Sequence, residues 1–143
     1  MELIAIVEQA WGWTGLQPDQ IVGSNDFGNL MIKDLAGSYW RLCPEDLYCK
    51  VVASSRTDLD RLSHDQEFLQ DWYMTGLVEQ ARERLGVLQP GFKYCLKIPG
   101  ALGGEYGGDN LATISLSELI SASGDIARQI KDLPDGAQIR LSI

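Results

Sequence analysis

The chain has 143 residues, 45% of them hydrophobic and 22% charged, a length that suits one domain and a composition that excludes a disordered or fibrous chain. Twelve Lys and Arg face twenty Asp and Glu, for a net charge of −8, which disfavours nucleic acid and anionic lipid and favours basic protein partners. No apolar run approaches the roughly 20 residues that span a membrane and no leader opens the sequence, so a cytoplasmic setting is expected.

Leu3, Ile4, Val7, Ala10 and Trp11 recur at helical spacing and predict an amphipathic helix over residues 2–12, closed by Gly12 and Gly15. Between Gln20 and Ser54 the pattern changes to short β-rich runs at 20–23, 30–33, 38–42 and 48–53, the grammar of an antiparallel meander. Asp34 to Gly37 reads as a hairpin loop with Gly37 at positive φ, and Pro44 ends the strand before it. Ser63 and Gln66 form a capping-box pattern ahead of a long central helix whose apolar face runs Leu69, Trp72, Tyr73, Gly76, Leu77, Ala81 and Leu85. A strand over 92–98, a glycine-rich loop over 99–108 and a short strand over 111–114 follow. Ser115 and Glu118 make a second capping box for a helix with its stripe at Leu116, Leu119, Ile120, Ala127, Ile130 and Leu133, and Pro134-Asp135-Gly136 leads to a last strand over 138–143. The expected fold is α+β, one domain over residues 1–143, with an antiparallel or mixed sheet packed with about three main helices.

Catalytic chemistry finds little to build on. The single histidine, His64, sits beside a helix start with no nucleophile motif to serve, and it reads as a solvated side chain. Cys43, Cys49 and Cys95 show no C-x-x-C spacing, which argues against disulfides and zinc and suits buried thiols in a reducing compartment. Asp58, Asp60 and Asp65 lack the spacing and central glycine of a calcium loop. No metal or cofactor is therefore expected. The segment Gly100 to Asn110 lacks the Lys-Ser/Thr ending of a P-loop, and its carboxylates repel phosphate. It reads either as a tight Ω-like loop or as a recognition loop offering Glu105, Tyr106 and Asp109. Two carboxylate pairs, Glu45/Asp46 and Glu67/Asp71, are the only candidates for acid/base work, and a small hydrolase built on one of them requires a concave pocket around the pair.

Several short motifs carry a family resemblance: Phe27-Gly28-Asn29-Leu30; Gly37-Ser38-Tyr39-Trp40-Arg41-Leu42-Cys43-Pro44-Glu45; Leu102-Gly103-Gly104-Glu105-Tyr106; Ser117-Glu118 with Ser123-Gly124-Asp125-Ile126-Ala127; and Leu133-Pro134-Asp135-Gly136. In this order, from about residue 20 to its end, the chain resembles the immunity-protein domain associated with type VI secretion, the cognate inhibitors of secreted DNase toxins. The resemblance implies a cytoplasmic inhibitor without activity of its own, which occludes the active site or substrate groove of a basic nuclease effector. The motif residues themselves read as architectural, Tyr39, Trp40 and Pro44 for a strand and Gly103, Gly104, Gly124 and Gly136 for turns. Partner contacts are expected instead at Asp58, Asp60, Asp65, Glu67 and Asp71 flanking the central helix, and at Glu105, Tyr106 and Asp109. Residues 1–71 hold twelve acids and five bases, whereas residues 72–143 hold eight and seven, so the first half supplies the acidic face. A regulatory or scaffold domain that binds an endogenous protein is the alternative from a different class.

Overall fold

The β-rich runs between Pro18 and Ala53 pair in sequence order in the computed structural model, which describes residues 2–134. Strands β1 (Pro18–Ser24), β2 (Leu30–Asp34), β3 (Tyr39–Cys43) and β4 (Tyr48–Ala53) form the expected antiparallel meander. The turn between β2 and β3 is organised by Asp34, whose Oδ1 accepts from the backbone N–H groups of Ala36 at 2.9 Å and Ser38 at 2.8 Å, while Trp40 Nε1 donates to Oδ2 at 2.9 Å. Burial pulls the Asp34 carboxyl upward, but these donors together hold it below its usual range. Gly37 takes φ of +92° as the loop requires.

Successive strand residues face opposite sides of a sheet, and here both sides are covered. Leu30, Ile32 and Leu42 meet Val7 and Trp11 of α1 (Leu3–Trp11) and Ile120 and Ala127 of α5 (Leu116–Ile130). Trp11 Nε1 satisfies itself on the Ile120 carbonyl at 3.1 Å, which ties the two helices together inside this core. On the opposite face Met31, Tyr39 and Ala53 pack against Trp72, Phe68 and Leu59 of α2 (Arg56–Leu62) and α3 (Gln66–Tyr73). A second antiparallel sheet, β5 (Phe92–Leu96) with β6 (Leu111–Ser115), joins α4 (Thr75–Leu85) around a third cluster of Phe27, Val78, Ala81, Tyr94, Leu96 and Leu111. The architecture is α+β with antiparallel sheets, as the sequence implies.

Three local details differ from the sequence reading. The central helix is two helices, because Met74 adopts φ of +50° and both closes α3 and opens α4. The cap of α3 is Asp65 rather than Ser63: its Oδ1 accepts from the N–H groups of Glu67 at 2.9 Å and Phe68 at 3.2 Å. Helix α2 is additional, capped by Ser55, whose Oγ accepts from Asp58 N at 3.1 Å. Its seven residues carry only two large apolar side chains, Leu59 and Leu62, too few for a periodic signal. The second capping box is present, with Glu118 N donating to Ser115 Oγ at 3.3 Å and Ser115 Oγ donating to Glu118 Oε1 at 2.8 Å. The strand expected over 138–143 lies outside the described residues. Among those described, no helix is long and apolar enough to cross a membrane.

Candidate partner-binding surface

Five of the twelve acidic residues of the first half, Asp58, Asp60, Asp65, Glu67 and Asp71, lie on or beside α2 and α3. Asp58 accepts from Ser54, which holds its carboxyl below the usual range, and pairs with Arg61 at 3.2 Å. Asp60 pairs with Arg56 at 3.0 Å, Asp65 caps α3, and Glu67 points from its first turn with no side-chain bond to any described residue. Exposed pairs of this kind contribute little to stability, so their carboxylates can be re-partnered at small cost. Asp71 differs. Its side chain is 70% exposed, yet it bonds the guanidinium of Arg41, whose side chain is only 5% exposed.

That bond is one end of a polar chain running through the outer face of the larger sheet. Arg41 lies over the Trp72 ring, 5.2 Å from its centroid, and donates through Nε to Asn29 Oδ1 at 3.0 Å. Asn29 is fully buried; its Nδ2 donates to Glu45 Oε1 at 3.0 Å and Oε2 at 2.9 Å. Cys43 Sγ donates to Glu45 Oε1 at 3.1 Å and stands 3.8 Å from Asp46 Oδ2, and Asp46 accepts the hydroxyl of Tyr106. Asp71 on α3 and Tyr106 on the glycine-rich loop, both singled out as partner contacts, are therefore the two ends of one line of polar groups, hydrogen-bonded from Asp71 to Cys43 and continued by the Asp46–Tyr106 pair that adjoins the Cys43 sulfur. The sequence reading weighed Glu45 and Asp46 as an acid/base pair, took Cys43 for a buried thiol, and met Asn29 and Arg41 only as members of family motifs. The available signal was a charged residue, Arg41, between Trp40 and Leu42 in a strand.

The glycine-rich loop is braced rather than loose. Asn110 Oδ1 accepts from Ile98 N at 2.8 Å, and its Nδ2 donates to the carbonyls of Ile98 at 2.9 Å and Glu105 at 2.7 Å. A Cβ at position 104 would sit 1.8 Å from the Ile98 carbonyl oxygen, so only glycine fits. The Gly100 N–H donates to the Glu45 carbonyl at 2.7 Å, which seats the loop on the turn after β3. Asp109 pairs with Arg84 of α4 at 2.6 Å, and Glu105 is exposed. The eight predicted contacts thus fall into a helix-pair group and a loop group, joined through the interior.

The carboxylate pairs can be judged on this geometry. Glu67 and Asp71 lie on an exposed helix surface, and Asp71 is engaged with Arg41. Glu45 borders a cavity of about 280 Å³ whose walls are mostly apolar, including Phe27, Leu96, Leu119 and Ile126. Three hydrogen bonds, from Asn29 and Cys43, already occupy its oxygens. Cys43, Glu45 and Asp46 also bring donor atoms within 4.8 Å of one another, a set able to share a cation. Burial and then the neighbouring Glu45 push the Cys43 thiol far up, so it acts as a donor to Glu45 rather than as a thiolate.

Burial also pushes the Glu45 carboxyl up, against the opposing effect of the bonds from Asn29 and Cys43. A raised carboxyl keeps its proton in the folded state after the unfolded chain has lost it, so stability falls as pH climbs from about 4.5 through the folded value. Glu45→Gln removes this titration and can accept from Asn29 while turning its amide toward Cys43. Urea denaturation at several pH values should show the variant gaining on the wild type as the pH rises above about 4.5. A constant difference across pH would contradict this.

Comparison with known proteins gives a fold relative and a family. The crystal structure of Atu4351 from Agrobacterium tumefaciens superposes with a TM-score of 0.56 at 15% identity, over 85% of this chain and 62% of that one, a likeness of fold. This chain accordingly spans less than two thirds of that relative's length. No curated protein matches it. Residues 53–127, from the end of β4 into α5, match the family described as T6SS immunity protein Tdi1, C-terminal. The matched stretch exceeds half of the chain and contains α2, α3 and the glycine-rich loop, so all eight carboxylate and tyrosine positions lie within it: the chain belongs to the family of C-terminal domains of the type VI secretion immunity protein Tdi1.

Proposed function

We propose that the protein acts in the cytoplasm as the inhibitor of a cognate type VI secretion toxin, a basic nuclease, and silences it by covering its active site or substrate groove, without catalysis or a cofactor of its own. Membership of the immunity family carries this reading. The α2–α3 surface supports the choice of partner: Asp58, Asp60, Asp65, Glu67 and Asp71 present carboxylates in a row of short helices, a distribution suited to a surface that otherwise binds phosphates. Glu105 and Tyr106 add a braced second contact from the loop. Co-expression with the product of the adjacent gene, followed by purification through a tag on either protein, should yield a stoichiometric complex. Failure of the two purified proteins to associate at low salt would remove the reading.

A further inference from the structure

The backbone on either side of Tyr106 is pinned. Asn110 Nδ2 donates to the Glu105 carbonyl at 2.7 Å, and Gly108 N donates to Gln80 Oε1 of α4 at 2.7 Å. What freedom remains to Tyr106 is rotation about its side-chain torsions, and two further residues remove it. Its hydroxyl donates to the carboxylate of Asp46, on the turn after β3. Its ring lies across Gly100, where a Cβ would overlap Oη and Cζ and stand 2.6 Å from Cε2. The backbone at Gly100 is not in the left-handed region, so glycine is needed there to make room for the ring and not for the fold of the chain. The Gly100 N–H meets the Glu45 carbonyl at 2.7 Å, which keeps this part of the loop in register with Asp46. So held, Tyr106 is still 48% exposed. Tyr73, at 60%, is more exposed, and its hydroxyl bonds nothing among the described residues. An aromatic side chain that is both exposed and fixed has little rotamer freedom left to lose when a partner covers it, which is what makes such residues effective anchors.

We propose that Asp46 and Gly100 are positioning residues for toxin binding: they hold Tyr106 as a pre-formed contact that meets the toxin with its ring, while its hydroxyl proton stays with Asp46. The proposal rests on the toxin-binding reading and adds to it two residues outside the eight expected contacts. It also gives Asp46 a use other than acid/base chemistry, as the fixed acceptor of a neighbouring loop. Without Asp46, or with a methyl group at position 100, the ring has to be ordered during binding, which costs roughly two- to tenfold in affinity.

Binding of purified variants to the purified product of the adjacent gene is measured by calorimetry at about 300 mM salt, where the loss of one surface charge is largely screened. Gly100→Ala, Asp46→Ala and Tyr106→Phe should each weaken binding roughly two- to tenfold, and Tyr106→Ala should cost more than any of them. Asp46→Asn keeps an acceptor for the hydroxyl and should stay within about twofold of the wild type. Once Tyr106 is replaced by alanine, adding Gly100→Ala or Asp46→Ala should cost nothing further, a result that a merely structural role for either residue does not give. In the free protein, the NMR contact between the Tyr106 ring protons and the Gly100 Hα should vanish in Asp46→Ala, while the amides of Ile98 and Gly108 keep their protection from exchange. If the ring is released in Gly100→Ala and Asp46→Ala and both bind as well as the wild type, the proposal falls while the toxin-binding reading stands. Equal losses with and without the Tyr106 ring would make the two residues props of the loop and overturn it as well. A loss in Tyr106→Phe far larger than in Asp46→Ala would mean that the hydroxyl itself meets the toxin, again against the proposal. Absence of any wild-type binding would overturn both readings.

Discussion

Asn29→Leu should lower folding stability by about 3–5 kcal/mol, a large effect for a substitution that preserves side-chain size. Asn29 is fully buried and, among the described residues, is the only link between Arg41 Nε and the Glu45 carboxylate. Leucine can fill the volume but can neither accept from a guanidinium nor donate to a carboxylate. Arg41 and Glu45 would both remain buried, at 4% and 5% exposure, each short of a partner. Urea denaturation at neutral pH is the measurement. A loss below about 1 kcal/mol would mean that the chain from Asp71 to Tyr106 is not maintained in solution. The consequence extends to the surface, since Asp71 and Tyr106 are positioned by the same chain and the variant should also bind the toxin more weakly than its remaining folded fraction explains.

Reversing charge on the helix pair should act on association rather than on the fold. Asp60→Lys combined with Glu67→Lys spares the Asp65 cap and breaks only the exposed Asp60–Arg56 pair, so the loss of stability should stay within about 1 kcal/mol. The net charge of α2 and α3 changes sign locally, and a basic partner should then associate roughly 10–100-fold more slowly at low salt, with most of the difference gone at high salt. Rapid-mixing kinetics at two ionic strengths reads this directly. An association rate within twofold of wild type at low salt would place the toxin contact elsewhere on the molecule.

The meander was legible because its information is local. Alternating side chains and turn residues mark the four strands, and β4 runs from Tyr48 to Ala53, as its residues suggest. Helices α1 and α5 bury continuous stripes and so show their period. The break at Met74 left no such mark, because methionine is a good helix former and what stabilises the break is remote. Asn25, in the loop after β1, donates to the Trp72 carbonyl at 2.7 Å and so takes up an acceptor at the end of α3. The same distinction applies to the site. Acidic residues on α2 and α3 could be picked out one by one, whereas the chain beneath them joins Asn29 to Glu45, Arg41 to Asp71 and Asp46 to Tyr106, pairs as far as 60 positions apart. Only the folded sheet brings those groups together.

Titration of the purified protein against the adjacent gene product, with DNA degradation followed, tests most directly whether the protein binds a toxin and thereby abolishes its activity. The prediction is complete loss of nuclease activity at one equivalent, with Asp60→Lys/Glu67→Lys requiring a clear excess. Undiminished degradation of DNA at saturating concentrations of the wild-type protein would contradict it.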